Sequence, residues 1–270
     1  MIETSCIDRL AAVHPAAQVA EGVAIGPFTT IGENVKIGAG TQIGPHVNIE
    51  GWTEIGEDNR ISAFVSIGGP PQDLKYAGEM TVIRIGNRNV LREFVTVNRG
   101  TKGGGGVTSL GDDNFLMAYA HIAHDCHVGN HCILANAATL AGHVEIEDHV
   151  TLGAFCGVHQ FCRLGRHCFI GGYSVITKDV LPYSKTVGAR STRCYGPNAL
   201  GLRRKSFSPE SIIALQRAFR RLLQPGLNTR QAVDQIEGEL AGDPEVDYLV
   251  HFIRTSRRGT YTRAGGEGGD

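Results

Sequence analysis

Within residues 121–132, HIAHDCHVGNHC, four histidines, two cysteines and an aspartate fall in twelve positions. Three kinds of chemistry use such side chains. Imidazole and thiolate ligate zinc. A histidine backed by a carboxylate serves as a general base. Polar residues of any kind can also decorate the outer face of a repeat. The residue types fit all three, so the direction each side chain takes must decide, and that depends on the elements carrying the stretch.

Those elements announce themselves by a period of six. Val13, Val19, Ile25, Ile31, Ile37, Ile43, Ile49, Ile55, Ile61 and Ile67 are evenly spaced. The phase returns at Ile85, Leu91 and Val97, slips by one, and then holds for twelve positions from Leu110 to Ile176. Two residues before these positions stand small or β-branched side chains, such as Val23, Thr29, Val35, Thr41 and Val47. Such a period keeps no single face of an α-helix. It fits a parallel β-helix, in which each hexad is a short strand and a corner, and each coil hydrogen-bonds to the next. Gly, Asn and Asp are expected at the corners, where the chain turns sharply.

The period also orients the cysteines. Cys126, Cys132, Cys156, Cys162 and Cys168 each lie two residues before an aliphatic beat, at the small inward position. They are expected in the core. Pairs two coils apart would be separated by roughly 9.6 Å, too far for a disulfide.

Two interruptions stand out. Between Ile67 and Ile85 the missed beats fall on Asp73 and Glu79, unfit for an apolar core. A loop is therefore expected over about 68–84, and a second, NRGTKGGGG, over about 98–109. Loops on a rigid scaffold are where binding and catalysis concentrate.

Glycine is frequent, 36 of 270 residues, but the regular supply of Ile, Val and Leu argues for a glycine-turned repeat rather than disorder. Charge is near balance, 26 Lys and Arg against 27 Asp and Glu, which gives no electrostatic case for nucleic acid. No apolar run approaches the ~20 residues of a spanning helix. The start MIETSCIDRL lacks the basic-then-apolar order of a secretion signal. No membrane insertion and a cytoplasmic location are expected.

After Pro182 the beat stops. SFSPESIIALQRAFRRLL has the marks of a helix start, with Ser208 as N-cap, Pro209 in the first position and Glu210 in the first turn. Two further helices are expected near 229–241 and 244–256. The reading divides the chain into a hexad region at 1–190, a C-terminal α-helical domain at 191–263 and a disordered tail at 264–270. Across 203–221, Arg203, Arg204, Lys205, Arg217, Arg220 and Arg221 stand against a single acid, Glu210, a basic patch that the net charge conceals.

The hexads resemble the acyltransferases of the hexapeptide-repeat superfamily. QDLKYAGE, AHIAHDCHVGN, ILANAATLAGHV with HQF beyond it, and GLRRKSFS narrow the resemblance to the UDP-N-acetylglucosamine acyltransferase family, over essentially the whole chain. The resemblance implies a mostly β fold: a left-handed parallel β-helix of three hexads per coil with a smaller C-terminal α-helical domain, assembled as a homotrimer. It implies transfer of an R-3-hydroxyacyl chain to the glucosamine 3-hydroxyl of UDP-N-acetylglucosamine, the first step of lipid A biosynthesis. No cofactor is held; the acyl donor rides on the phosphopantetheine of acyl carrier protein.

Three hexads per coil would place His124, Gly142 and Gln160 in one column, about 4.8 Å apart, and Asp125, His143 and Phe161 in the next. Ile122 and Cys126 point inward, which leaves 123–125 at a corner and His121 and His127 outward. The resemblance implies His124 as general base, Asp125 as the group orienting it and the Gly142 amide as oxyanion donor. It implies that Gln72, Asp73 and Lys75 approach the sugar and its phosphate, and that His121, His143, His159 and Gln160 contact substrate. Asn198 and Arg204 would reach the nucleotide of a neighbouring subunit. Gly172, with Phe169 nearby, would set acyl-chain length and leans long. His127, His131, His149 and His167 are expected to be plain surface, and no metal is expected. Asn98 stands where better-known members have a histidine, and some relatives acylate a 3-amino sugar instead. A zinc-bearing trimer like the gamma-class carbonic anhydrases is the rival on the same scaffold.

Overall fold

The computed structural model describes residues 6–189 and 191–262; the tail expected at 264–270 lies outside them. From Cys6–Ile7 to Val175–Ile176, strands of two to four residues stack in parallel into three sheets. Each pairs with the strand three places on, Cys6 with Ala24, Ala12 with Thr30 and Gln18 with Lys36, so one coil takes 18 residues. Every aliphatic beat from Ile25 to Ile176 is buried, and so are Val23, Thr29, Val35, Thr41 and Val47. The aliphatic side chains among them fill one apolar column along the axis. The five inward cysteines are at most 1% exposed and unbridged. Burial pushes their thiols up, Cys126 and Cys132 to about 12 and Cys162 to about 11.

Some corners carry the expected residues, Gly22, Gly40, Asp58, Asp113 and Asp125 at φ of 55° to 71°, but others do not. Phe28, His46, Phe64, Phe94 and Tyr119 hold φ of 56° to 65° at one corner, and their rings stack at 4.8–5.0 Å. Equivalent corners lie one strand spacing apart, close to ring-stacking distance, so stacking helps offset the roughly 1–2 kcal/mol that a left-handed residue costs. His131, His149 and His167 form a second ladder at 4.5–4.8 Å. His127 and His131 are exposed as expected, but His167 is not plain surface. It lies half-buried by Tyr183 and Phe207, and burial, with His149 next in effect, brings its pKa down to about 4.

The two interruptions lengthen the coil to 30 residues from Arg60 to Val90 and 25 from Val90 to Phe115. Irregular chain runs only over 70–81 and 99–106, because Ser66–Gly69, Val82–Ile85, Thr96–Asn98 and Val107–Leu110 continue the ladders. Beyond the coils an antiparallel strand, Arg193–Pro197, returns along Ser184–Val187. Helices α1 (Ala199–Arg204), α2 (Pro209–Leu222), α3 (Thr229–Leu240) and α4 (Pro244–Thr255) follow. Helix α2 starts as its sequence foretells, with Ser208 capping the Ser211 amide; α1 and the antiparallel strand carried no such signal.

The helices bury their apolar faces in a second core that includes Leu181 and Tyr183 of the last coil. A polar cluster ties the two regions. The Tyr183 hydroxyl donates to Glu245 and accepts from Arg166 Nε at 2.6 Å, while Arg166 Nη2 reaches Glu245 at 2.8 Å.

Candidate active site

His124 and Asp125 occupy the corner between strands His121–Ile122 and His127–Val128. Asp125 takes φ +59°, a conformation Asp tolerates better than most residues. Its amide donates to Thr108 Oγ1 at 2.8 Å, and its side chain is fully buried at 0% exposure. Oδ1 accepts from the Thr101 amide at 2.8 Å; Oδ2 accepts from the Thr101 hydroxyl at 2.6 Å and from His124 Nδ1 at 2.8 Å. As a carboxylate Asp125 can only accept, which puts a proton on Nδ1 and, in the neutral imidazole, leaves the lone pair on Nε2. That is the tautomer a base needs.

The neighbouring coil presents Gly142 directly against this imidazole. A Cβ on Gly142 would stand 2.5 Å from His124 Cε1 and 2.7 Å from Nε2. The Gly142 carbonyl accepts from Phe161 of the next coil at 3.3 Å, whereas its amide donates to no acceptor among the described residues. Beside it His143 meets His124 edge-on at 5.1 Å and stacks on Phe161 at 4.4 Å. His143 Nε2 lies 3.8 Å from Asp125 Oδ2. Burial holds the His143 pKa below the usual imidazole range, with the Asp125 and Asp73 charges opposing the shift. His121 is likewise lowered by burial, and its Nδ1 pairs with Thr96 Oγ1 at 2.7 Å.

The second loop reaches this corner through Thr101. Asp73, Lys75, Tyr76, Glu79, Thr101 and Lys102 line a cavity of about 800 Å³. The loops are joined by Arg99, which donates to the Gly68 carbonyl at 2.8 Å and to the Tyr76 hydroxyl at 3.1 Å. Lys75 makes no ion pair among the described residues, although its amide bonds Asp73 at 3.0 Å. Gln72 is exposed and does not line the cavity.

The other expected residues are spread out. His159 and Gln160 are exposed in the coil beyond Gly142, with His159 Nδ1 3.1 Å from the Gln160 carbonyl. Phe169 lies half-buried in strand Phe169–Ile170, and Gly172 is exposed with open space except toward Ala154. Asn198 caps α1 and anchors to the Tyr183 carbonyl at 2.7 Å, and Arg204 is exposed at the end of that helix. Within this one chain neither is part of the His124 cluster.

Thr101 escaped the sequence reading. Its signal lay in the glycines around it, since a side chain on Gly104 would overlap the Asp125 carboxyl and one on Gly100 would stand 2.8 Å from Oδ1. His124, Asp125 and His143 also bring ligand atoms within 4.8 Å of one another, a spacing that would suit a cation. Asp125 Oδ2 and His124 Nδ1 are engaged with each other and with Thr101, however, which suits a base better than a ligand set.

Residues 34–69, 108–142 and 143–178 match the bacterial transferase hexapeptide family, and 179–261 match the second domain of the UDP N-acetylglucosamine O-acyltransferase family. Over 251 residues, 92% of this chain and 96% of the other, the sequence is 54% identical to the acyl-[acyl-carrier-protein]–UDP-N-acetylglucosamine O-acyltransferase of Trichlorobacter lovleyi. The chain belongs to that family. It is also 50% identical to the Alkalilimnicola ehrlichii member over 94% of its own length and 98% of that protein. The solved UDP-N-acetylglucosamine acyltransferase of Francisella novicida superposes with a TM-score of 0.91 at 39% identity, over 96% of this chain and 95% of that one. The chain thus has the fold of the acyltransferase family, a left-handed parallel β-helix of hexapeptide repeats with a small C-terminal helical part. The carbonic anhydrase alternative finds no support in these relatives.

Proposed function

We propose that this acyltransferase moves an R-3-hydroxyacyl chain from acyl carrier protein to the glucosamine 3-hydroxyl of UDP-N-acetylglucosamine, opening lipid A biosynthesis. The observation that carries the mechanism is the His124–Asp125 pair, which Thr101 links to a cavity lined by both loops. His124 Nε2 takes the proton of the sugar hydroxyl as its oxygen attacks the thioester carbonyl. Asp125 holds the imidazole and stabilises it once charged. The Gly142 amide donates to the oxyanion of the tetrahedral intermediate. Collapse breaks the carbon–sulfur bond, and the imidazolium returns its proton to the departing phosphopantetheine thiolate.

In this reading Asp73 and Lys75, with Gln72 beside them, hold the sugar and its pyrophosphate, to which the unpaired Lys75 ammonium is suited. His121, His143, His159 and Gln160 complete the acceptor and acyl contacts. Asn198 and Arg204, remote from His124 in their own chain, act on the nucleotide in a neighbouring copy, and the enzyme is a cytoplasmic homotrimer. Among the described residues no helix is long and apolar enough to cross a membrane. Gly172 leaves the acyl path open beside Phe169, which favours a long chain. The hexad region to about residue 190 is the catalytic scaffold, and the helical domain after it presents the carrier-protein surface. Arg203, Arg204, Arg217 and Arg220 are exposed and make no ion pair among the described residues, whereas Arg221 is tied to Glu239 at 3.0 Å. Carrier-protein binding should therefore weaken with salt.

The test is incubation of the purified protein with UDP-N-acetylglucosamine and hydroxyacyl carrier proteins of graded length. The proposal expects an acylated sugar nucleotide whose linkage is cleaved by mild base, as an ester is. A base-stable amide formed only with the 3-amino sugar, or no transfer at any chain length, would overturn it.

A further inference from the structure

We infer that Thr101, from the second loop, is the positioning residue of the dyad: it sets the Asp125 carboxylate, and through it the tautomer and orientation of His124. The inference rests on the proposed role of His124 as base and goes beyond it.

Of the three hydrogen bonds that hold the buried Asp125 carboxylate, two come from this one residue, its amide to Oδ1 at 2.8 Å and its hydroxyl to Oδ2 at 2.6 Å. The direction of that hydroxyl is itself fixed. Thr101 Oγ1 accepts the Gly104 amide at 3.2 Å, which leaves its own hydrogen for Asp125. With both oxygens held, the remaining acceptor direction of Oδ2 meets His124 Nδ1 at 2.8 Å. The loop is shaped for the purpose, because Gly100 and Gly104 flank Thr101 where any side chain would crowd the carboxyl. Thr101 lies in the adjacent, lengthened coil but beyond the end of its strand Thr96–Asn98, so the loop rather than strand pairing supplies this contact. It also lines the cavity, and the amide of the adjacent Lys102 reaches Glu79 of the first loop at 3.4 Å.

Thr101 also caps the short Lys102–Gly104 turn, and a purely structural role in that turn makes different predictions. Thr101→Val keeps the shape and the amide but removes the hydroxyl. The inference expects kcat to fall about 10- to 100-fold, the loss of one charge-assisted hydrogen bond, with KM for UDP-N-acetylglucosamine within about three-fold. The ¹⁵N shifts of the His124 ring should move from a Nδ1-protonated pattern toward a tautomer mixture, and Thr101→Ser should restore both readouts. Thr101→Ala, which likewise keeps the amide and removes the hydroxyl, carries the same prediction should Thr101→Val fail to fold. A folded Thr101→Val or Thr101→Ala enzyme with wild-type kcat, or with lowered kcat but an unchanged His124 tautomer, overturns the inference. His124→Ala serves as the control: if it retains activity, the dyad itself is wrong and the inference falls with it. If it is inactive while Thr101→Val is unimpaired, only the role of Thr101 falls.

Discussion

The imidazole of His124 fills the space that a side chain on Gly142, one coil away, would need. The two residues are 18 apart, so each holds the same place in successive coils, and the lack of a Cβ on Gly142 leaves room for the ring. The site thus depends on a missing side chain as much as on the two that are present.

Gly142→Ala should leave the β-helix folded but push the His124 ring aside. An enzyme that depends on sub-ångström placement then loses at least about ten-fold in kcat. Steady-state kinetics with a melting curve checks this; unchanged kcat in a folded variant would contradict the contact.

Thiol chemistry should report the core directly. Cys6 is exposed, while Cys126, Cys132, Cys156, Cys162, Cys168 and Cys194 are buried with their thiols shifted upward. A disulfide reagent should label one thiol per native chain and all seven after unfolding. Rapid labelling of more than one in the native protein would contradict the packing.

Stability should fall in acid partly through His167, whose pKa is lowered from 6.5 to about 4. The folded protein holds it neutral and the unfolded chain takes up the proton more readily. Its contribution is therefore present above pH 6.5 and is lost as pH falls toward about 4. His167→Phe, which keeps a ring in the stack, should reduce the drop in Tm across that window by about 2–5 °C. An identical pH dependence in the variant would show that His167 is not the group responsible.

Glu245→Ala removes the acceptor shared by Tyr183 and Arg166 where the helices meet the last coil. Loss of the helical part's anchorage should cost about 1–3 kcal/mol, visible in urea melts followed by far-ultraviolet helix signal. A melt superimposable on wild type would mean the cluster does not hold the two regions together.

The coils were readable because a strictly local rule produces them: a strand of two residues buries its aliphatic member once every six, so Ile25 through Ile176 mark the core unaided. The His124–Asp125 pair was readable for the same reason, since inward Ile122 and Cys126 force the residues between them to a corner. The aromatic corners were not. Phe64 at φ +62° is tolerable only beside His46 and Phe94, neighbours that appear only once coils stack. Thr101 was hidden because it lies in the loop that breaks the period, where the path of the chain is set by Asp125 rather than by any repeat. Helix α1, only six residues long, offered no apolar periodicity to detect.

The central claim is that His124 Nε2 takes the proton of the attacking hydroxyl, and acyl transfer by His124→Ala tests it most directly. Measured beside wild type at saturating UDP-N-acetylglucosamine and hydroxyacyl carrier protein, kcat should fall about 10²- to 10⁴-fold, with the sugar nucleotide still bound. Transfer at the wild-type rate by a folded His124→Ala protein would contradict it.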